Sequence, residues 1–272
     1  MFDTLKKPAR IGVVGCGTIG AEVARYVDRG ELPAILSGLC DVAPEKAEAL
    51  ATKLDRPPPL YDVERLVVHS DLVVECASAE AVDELVGLCL EHRRHLFVMS
   101  IGGLRAEHVR RFGESRLSLL IPSGAVAGMD GIAAHAAAGI ERLTLVTRKP
   151  PRAFEGVGWL AAQGIEPGRI TKETILFEGG AEDAVEKFPQ NVNVCFTVKL
   201  ASGNFTGLRV RVIADPGVER NIHEIHVESR LGKMYVLMQN NPSGTNPRTS
   251  MIACASAAAT LEKFFSNIKR GT

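Results

Sequence analysis

The chain has 272 residues, 46% hydrophobic and 24% charged, enough for one large or two modest domains with a proper core. Its 32 basic and 32 acidic residues cancel, so neither nucleic acid nor an anionic membrane surface is the expected partner. No apolar run approaches the roughly 20 residues of a membrane span, and Met1 to Arg10 carry no apolar signal core, which makes cytoplasm the expected location. The six cysteines have no CxxC or other ligand spacing and mostly sit in apolar runs, as buried reduced thiols do; no metal site is expected.

The first predicted element is a short β-branched strand, Ile11 to Val14, running into Gly15-Cys16-Gly17-Thr18-Ile19-Gly20 and the helix-forming Ala21 to Val27. In that strand–turn–helix context the glycines have separate tasks. Gly15 allows the tight turn, Gly17 lets a pyrophosphate approach the backbone, and Gly20 lets helix and strand pack closely. Thr18 and Ile19 open the helix, whose N-terminal N–H groups and dipole favour an anion. A second apolar run, Ala34 to Cys40, ends at Asp41, 21 residues after Gly20. A carboxylate there accepts hydrogen bonds from ribose hydroxyls and repels a 2′-phosphate, so NAD is the expected cofactor. No arginine follows Asp41 directly, Lys46 is near in sequence, and NADP use stays open.

Helices are then predicted from Pro44 to Ala51 and from Tyr61 to Val68, with a buried strand from Asp71 to Cys76. Ala77 and Ser78 form a turn before a helix at Glu80 to Glu91. A strand at His95 to Ser100, a helix at Glu107 to Phe112 and a strand at Leu117 to Ile121 complete an alternation that predicts a doubly wound parallel sheet. In such a sheet a ligand lies beyond the strands' carboxyl ends, where Ala77-Ser78, Ser100-Ile101-Gly102 and Ser123-Gly124-Ala125 fall.

Past Gly124 the pattern changes. Val126 to Gly139 reads as a helix, and Arg142 to Lys149 alternates as a strand exposed on one face does. Ile175 to Gly180 is a further strand and turn, followed by helices at Ala181 to Lys187 and Asn193 to Ala201. Leu208 to Asp215 and Asn221 to Glu228 alternate again, with Lys233 to Met238 as a continuation. This is an α+β domain with an open mixed or antiparallel sheet. A long helix from Thr249 to Lys269 ends the chain. The expected domains are 1–123 with 246–272 for the dinucleotide, and 124–245 for substrate and dimerisation.

Proton transfer beside a nicotinamide calls for a group titrating near neutrality, and there are seven histidines. His223 and His226 share a strand, and an offset of three puts them on opposite faces. Ile222 and Ile225 sit on opposite faces too, so the local pattern does not choose between the two histidines.

Five stretches together resemble the L-aspartate dehydrogenases: Gly15 to Gly20; Ser123-Gly124-Ala125-Val126-Ala127-Gly128-Met129-Asp130; Thr147-Arg148-Lys149; Phe188-Pro189-Gln190-Asn191-Val192-Asn193-Val194; and Ala214-Asp215-Pro216 leading to Asn221-Ile222-His223-Glu224-Ile225. Asn246 to Ser250 is similar to the segment before that family's last helix. The chain departs from the family at Ala127 and Cys195, where relatives often carry glycine and alanine. The resemblance implies oxidation of L-aspartate to iminoaspartate or oxaloacetate with NAD or NADP, a place in NAD synthesis, and a homodimer built on the second domain's sheet. It assigns catalysis to His223 and cofactor contacts to Ala125 and Asn193. Two substrate carboxylates need cationic or N–H partners, for which Arg148, Lys149, Arg248 and the helix start at Thr249 and Ser250 are candidates. The competing readings are a dihydrodipicolinate-reductase-like or sugar-dehydrogenase-like enzyme, against which Met99-Ser100-Ile101-Gly102 counts where the latter carries Glu-Lys-Pro, and a non-catalytic dinucleotide sensor.

Overall fold

A computed structural model describes residues 8–188, 192–242 and 250–268. The chain divides into two compact units, Met1–Pro122 with Cys254–Arg270, and Ser123–Ala253 with Gly271–Thr272.

The first unit runs β1 (Ala9–Val14), α1 (Thr18–Asp28), β2 (Ala34–Cys40), α2 (Pro44–Ala51), α3 (Val63–His69), β3 (Leu72–Glu75), α4 (Ala79–Glu91), β4 (His95–Val98), α5 (Ala106–Glu114) and β5 (Leu119–Leu120). The five strands form one parallel sheet in the order β2-β1-β3-β4-β5. Ile11, Val13, Val73, Val74, Leu96 and Phe97 are fully buried, as strands covered on both faces must be. The last strand is shorter than the Leu117–Ile121 run. Only Leu119 and Leu120 pair with β4, and both are half-buried.

The second unit contains α6 (Met129–Ala137), β6 (Ile140–Lys149), α7 (Gly158–Ala162), β7 (Thr174–Gly180), α8 (Ala181–Lys187), α9 (Val192–Ala201), β8 (Leu208–Ala214), β9 (Asn221–Ser229) and β10 (Gly232–Asn240). Its sheet has the order β10-β9-β6-β8-β7, with β6 parallel to β8 and every other pair antiparallel. One face is buried: Leu143, Leu145, Val210, Val212, Ile225 and Val227 pack with Ile132 of α6, Ala184 of α8 and Val198 of α9. The outer face is polar and paired, Arg211 with Glu178 and Lys233 with Glu228, but Tyr235 and Leu237 stand 63% and 59% exposed on it.

Helix α6 starts three residues later than the Ala/Gly pattern predicts. Gly128, immediately before it, has φ +75°, and a Cβ there would collide with the Val236 side chain, so the chain turns at Gly128 before the helix begins. The last helix, α10 (Met251–Phe265), starts in the second unit and continues in the first from Cys254. Its Ala257 and Leu261 are fully buried, Glu262 accepts a hydrogen bond from the Tyr26 hydroxyl, and Phe264 meets His95 edge-on at 5.3 Å. Among the described residues no helix is long and apolar enough to cross a membrane.

Candidate active site

The first unit carries a glycine loop at the carboxyl end of β1. Gly15 has φ +90°, and a Cβ there would overlap the Cys76 backbone, so glycine is required twice over. A Cβ at Gly20 would overlap the Gly15 carbonyl oxygen, whereas one at Gly17 would meet nothing within 4 Å. The loop is therefore tight beneath and open at Gly17. Gly17 is also the N-cap of α1 and has no side chain to satisfy the N–H groups that open the helix at Thr18 and Ile19. Burial, then Asp41, pushes the thiol of Cys16, inside the loop, up to about 12, which keeps it protonated near neutral pH.

Asp41 is fastened to this loop. Its Oδ2 accepts from the Cys16 N–H at 2.7 Å and its Oδ1 from the Ala43 N–H at 2.9 Å. Each carboxylate oxygen keeps a further lone pair for a ribose hydroxyl.

Ala77 and Ser78 are exposed at the end of β3, with Ser78 as the N-cap of α4. Beneath them lies a group that the sequence pattern hides. Glu75, fully buried, accepts from the Ala77 N–H (2.7 Å) and Ser100 hydroxyl (2.8 Å) on Oε1, and from the Met99 (3.1 Å) and Ser100 (2.8 Å) N–H groups on Oε2. Burial raises its pKa and these donors pull it back. The one signal was a carboxylate closing an otherwise apolar β-branched strand.

The second unit carries the histidine candidates. His223 on β9 faces inward and is buried, and its Nδ1 lies 3.1 Å from the Thr147 hydroxyl, directly across on β6. Burial, and then the positive charge of Lys149, pushes the His223 pKa down to about 3, so the ring is neutral at any working pH. Lys149 lies two residues beyond Thr147 on the same sheet face and is itself buried. His226 faces outward, edge-on to Tyr235 with 5.0 Å between ring centroids, and 3.5 Å from a Glu224 oxygen.

Arg148 does not join His223. Alternation turns it to the outer face, where it is bonded to Glu173 at 2.5 Å and to Asp215 at 2.8 Å. Its charge is spent tying strand ends together. Ser250 lies just before α10, with its hydroxyl 3.4 Å from the Asn221 amide, whereas Arg248 and Thr249 lie outside the described residues, as do positions 189–191. Asn193 is exposed in the first turn of α9, its carbonyl accepting from the Thr197 hydroxyl at 2.8 Å. The Ala125 carbonyl is held by the buried Asn240 amide at 2.7 Å. Among the described residues no cluster of His, Cys, Asp and Glu is arranged to hold a metal ion.

Compared with known proteins, residues 130–264 match the family model described as aspartate dehydrogenase, C-terminal, and residues 15–113 match the NAD binding domain of homoserine dehydrogenase. The L-aspartate dehydrogenase of Methanosarcina mazei is 45% identical over 97% of this chain and 99% of its own length. The chain belongs to the L-aspartate dehydrogenase family. The family's enzyme from Methanothermobacter thermautotrophicus is 37% identical over 96% of this chain and 98% of its own. The crystal structure of aspartate dehydrogenase from Thermotoga maritima superposes with a TM-score of 0.75 at 25% identity, covering 97% of this chain and 99% of that one. As a member of the family, the chain is an oxidoreductase that acts on L-aspartate with a nicotinamide dinucleotide. The cradle at Gly17 and the carboxylate of Asp41 fit that cofactor.

Proposed function

We propose that this chain uses NAD to oxidise L-aspartate to iminoaspartate, with His223 as the proton acceptor. The observation that carries the assignment of His223 is a buried, neutral imidazole beside a buried cation: a base held uncharged until the substrate arrives. When bound, the nicotinamide supplies the two-electron acceptor. In the first unit Thr18, Ile19 and the three glycines would seat the pyrophosphate, Asp41 would receive the ribose hydroxyls, and Ala77 and Ser78 would contact the cofactor further along; Ala125 and Asn193 are the second unit's candidates for cofactor contacts. Lys149 receives a substrate carboxylate, assisted by Ser250. That arriving negative charge offsets Lys149 and raises the basicity of His223 when a proton must leave the substrate ammonium. His223 then returns the proton as water adds to the imine and ammonia departs.

Asp41 supports NAD over NADP, because its fastened carboxylate would face a 2′-phosphate with like charge. The exposed Tyr235 and Leu237 on the outer sheet face support a homodimer through that face. The six free cysteines support a reducing, cytoplasmic setting. The test is absorbance of the reduced nicotinamide with L-aspartate, L-glutamate, L-alanine or L-malate. A rise with aspartate alone that is lost in His223→Ala, with cofactor binding retained, is the expected result. Full turnover in His223→Ala would overturn the assignment of the base.

A further inference from the structure

The inner face of β6 is apolar at Leu143 and Leu145 and then carries Thr147, whose buried hydroxyl needs a hydrogen-bonding partner at that depth. Its bond is to His223 Nδ1, and it comes from a rigid position. Threonine is β-branched and stiff at χ1, β6 is the central strand of the sheet, and Thr147 and His223 are direct partners in the β6–β9 ladder. Nε2 of His223 has no hydrogen-bond partner among the described residues. The two ring nitrogens thus stand in different situations, one pinned and one available.

A neutral imidazole carries one N–H and one lone pair. To take a proton at the available nitrogen, His223 must hold its own proton on Nδ1, which requires an acceptor facing Nδ1. A hydroxyl oxygen is such an acceptor, whereas the neighbouring Lys149 ammonium can only donate. We infer that Thr147 is a positioning residue that accepts the Nδ1–H of His223 and so keeps the Nε2 lone pair free for the substrate's proton. The same bond persists once the ring is protonated, since Nδ1–H still donates to the hydroxyl. His223 therefore takes a proton and returns it through Nε2 without turning its ring. The inference rests on His223 being the base.

The test has two arms. In enzyme labelled with 15N-histidine, with His223→Gln used to assign the signal, Nδ1 of His223 should report as the protonated nitrogen and Nε2 as the bare one. For kinetics, Thr147→Val keeps shape and removes the hydroxyl, while Thr147→Ser keeps the hydroxyl. Thr147→Val should lower kcat about tenfold or more and shift the acid limb of kcat to lower pH, because the protonated ring loses its acceptor; KM for aspartate and cofactor binding should change little. Thr147→Ser should restore most of the rate and the original limb. A bare Nδ1 with a protonated Nε2 in the unsubstituted enzyme would overturn the inference, as would Thr147→Val with unchanged kcat and pH profile. If Thr147→Val fails to fold, the nitrogen spectrum decides alone. An active His223→Ala variant would instead remove the reading beneath it, which keeps the two failures apart.

Discussion

Replacing Glu75 by glutamine tests whether a buried carboxylate organises the strand ends around the dinucleotide. The carboxylate accepts four hydrogen bonds, two on each oxygen. An amide has one acceptor oxygen and one NH2 group. With the NH2 at the Oε2 position, the Ser100 N–H loses its acceptor, while the Met99 N–H keeps the Glu75 backbone carbonyl at 3.0 Å. At the Oε1 position only the Ala77 N–H loses its acceptor, because the Ser100 hydroxyl can turn and accept. The cheaper orientation leaves the part-buried Ala77 N–H without that acceptor, a cost of about 1–3 kcal/mol where water does not reach it, partly offset because no charge is buried. At neutral pH the variant should be less stable by about 1–2 kcal/mol, a drop of several degrees in Tm. The pH dependence follows from the raised pKa of Glu75. A folded-state pKa above the unfolded value gives a contribution complete below the unfolded pKa of about 4.3 and lost as pH rises through the folded value. The advantage of the natural residue over glutamine should therefore shrink from pH 4 upward and then level off. Thermal unfolding from pH 4 to 8, with KM for NAD measured alongside, gives the answer. Equal Tm values across that range, with unchanged cofactor affinity, would refute the reasoning.

His223 makes the second unit sensitive to acid. Its pKa falls from 6.5 to about 3 on burial, so stability is complete above the unfolded value and is lost as pH falls through 6.5 towards 3. The loss is at most about 5 kcal/mol, and His223→Ala should flatten the acid side of the stability–pH curve. Lys149→Met should raise KM for aspartate about tenfold or more, whereas Arg148→Met should lower Tm and leave KM near its original value; the reverse pattern in steady-state kinetics would show that the faces were assigned wrongly. Asp41→Ser should weaken NAD binding and narrow the preference for NAD over NADP, read as a ratio of kcat/KM values. A paired Tyr235→Glu and Leu237→Glu variant should elute as a monomer, and a dimer that survives both charges would place the interface elsewhere.

The parallel sheet and the glycine cradle were legible because both rest on short-range rules: strand length, helix period, and glycine where a Cβ has no room. The placement of Asp41 against that loop was legible for the same reason, since its spacing from Gly20 follows from one β–α–β unit. The choice between His223 and His226 was half legible. Extending the alternation to Val227 and Glu228 aligns His223 with the apolar set Ile225 and Val227, and His226 with the charged set. The same alternation separates Arg148 from Lys149 but does not say which one faces inward; that depends on Leu143 and Leu145 meeting helices far along the chain. Glu75 was barely legible: beyond the lone carboxylate closing its strand, the donors that make its burial tolerable come from the end of β4, 24 and 25 residues away, or from its own turn.

The division of the chain has a consequence for how the molecule is made. Residues 123–253 are contiguous, so that unit is synthesised in one piece, while the dinucleotide unit lacks α10 until the residues beyond Ala253 have been added. At about 5–20 residues per second, those 131 intervening residues take roughly 7–26 s to add. Throughout that interval, the places later filled by Ala257 and Leu261 have no occupant. The unit begun before residue 123 is thus completed only after the unit that interrupts it.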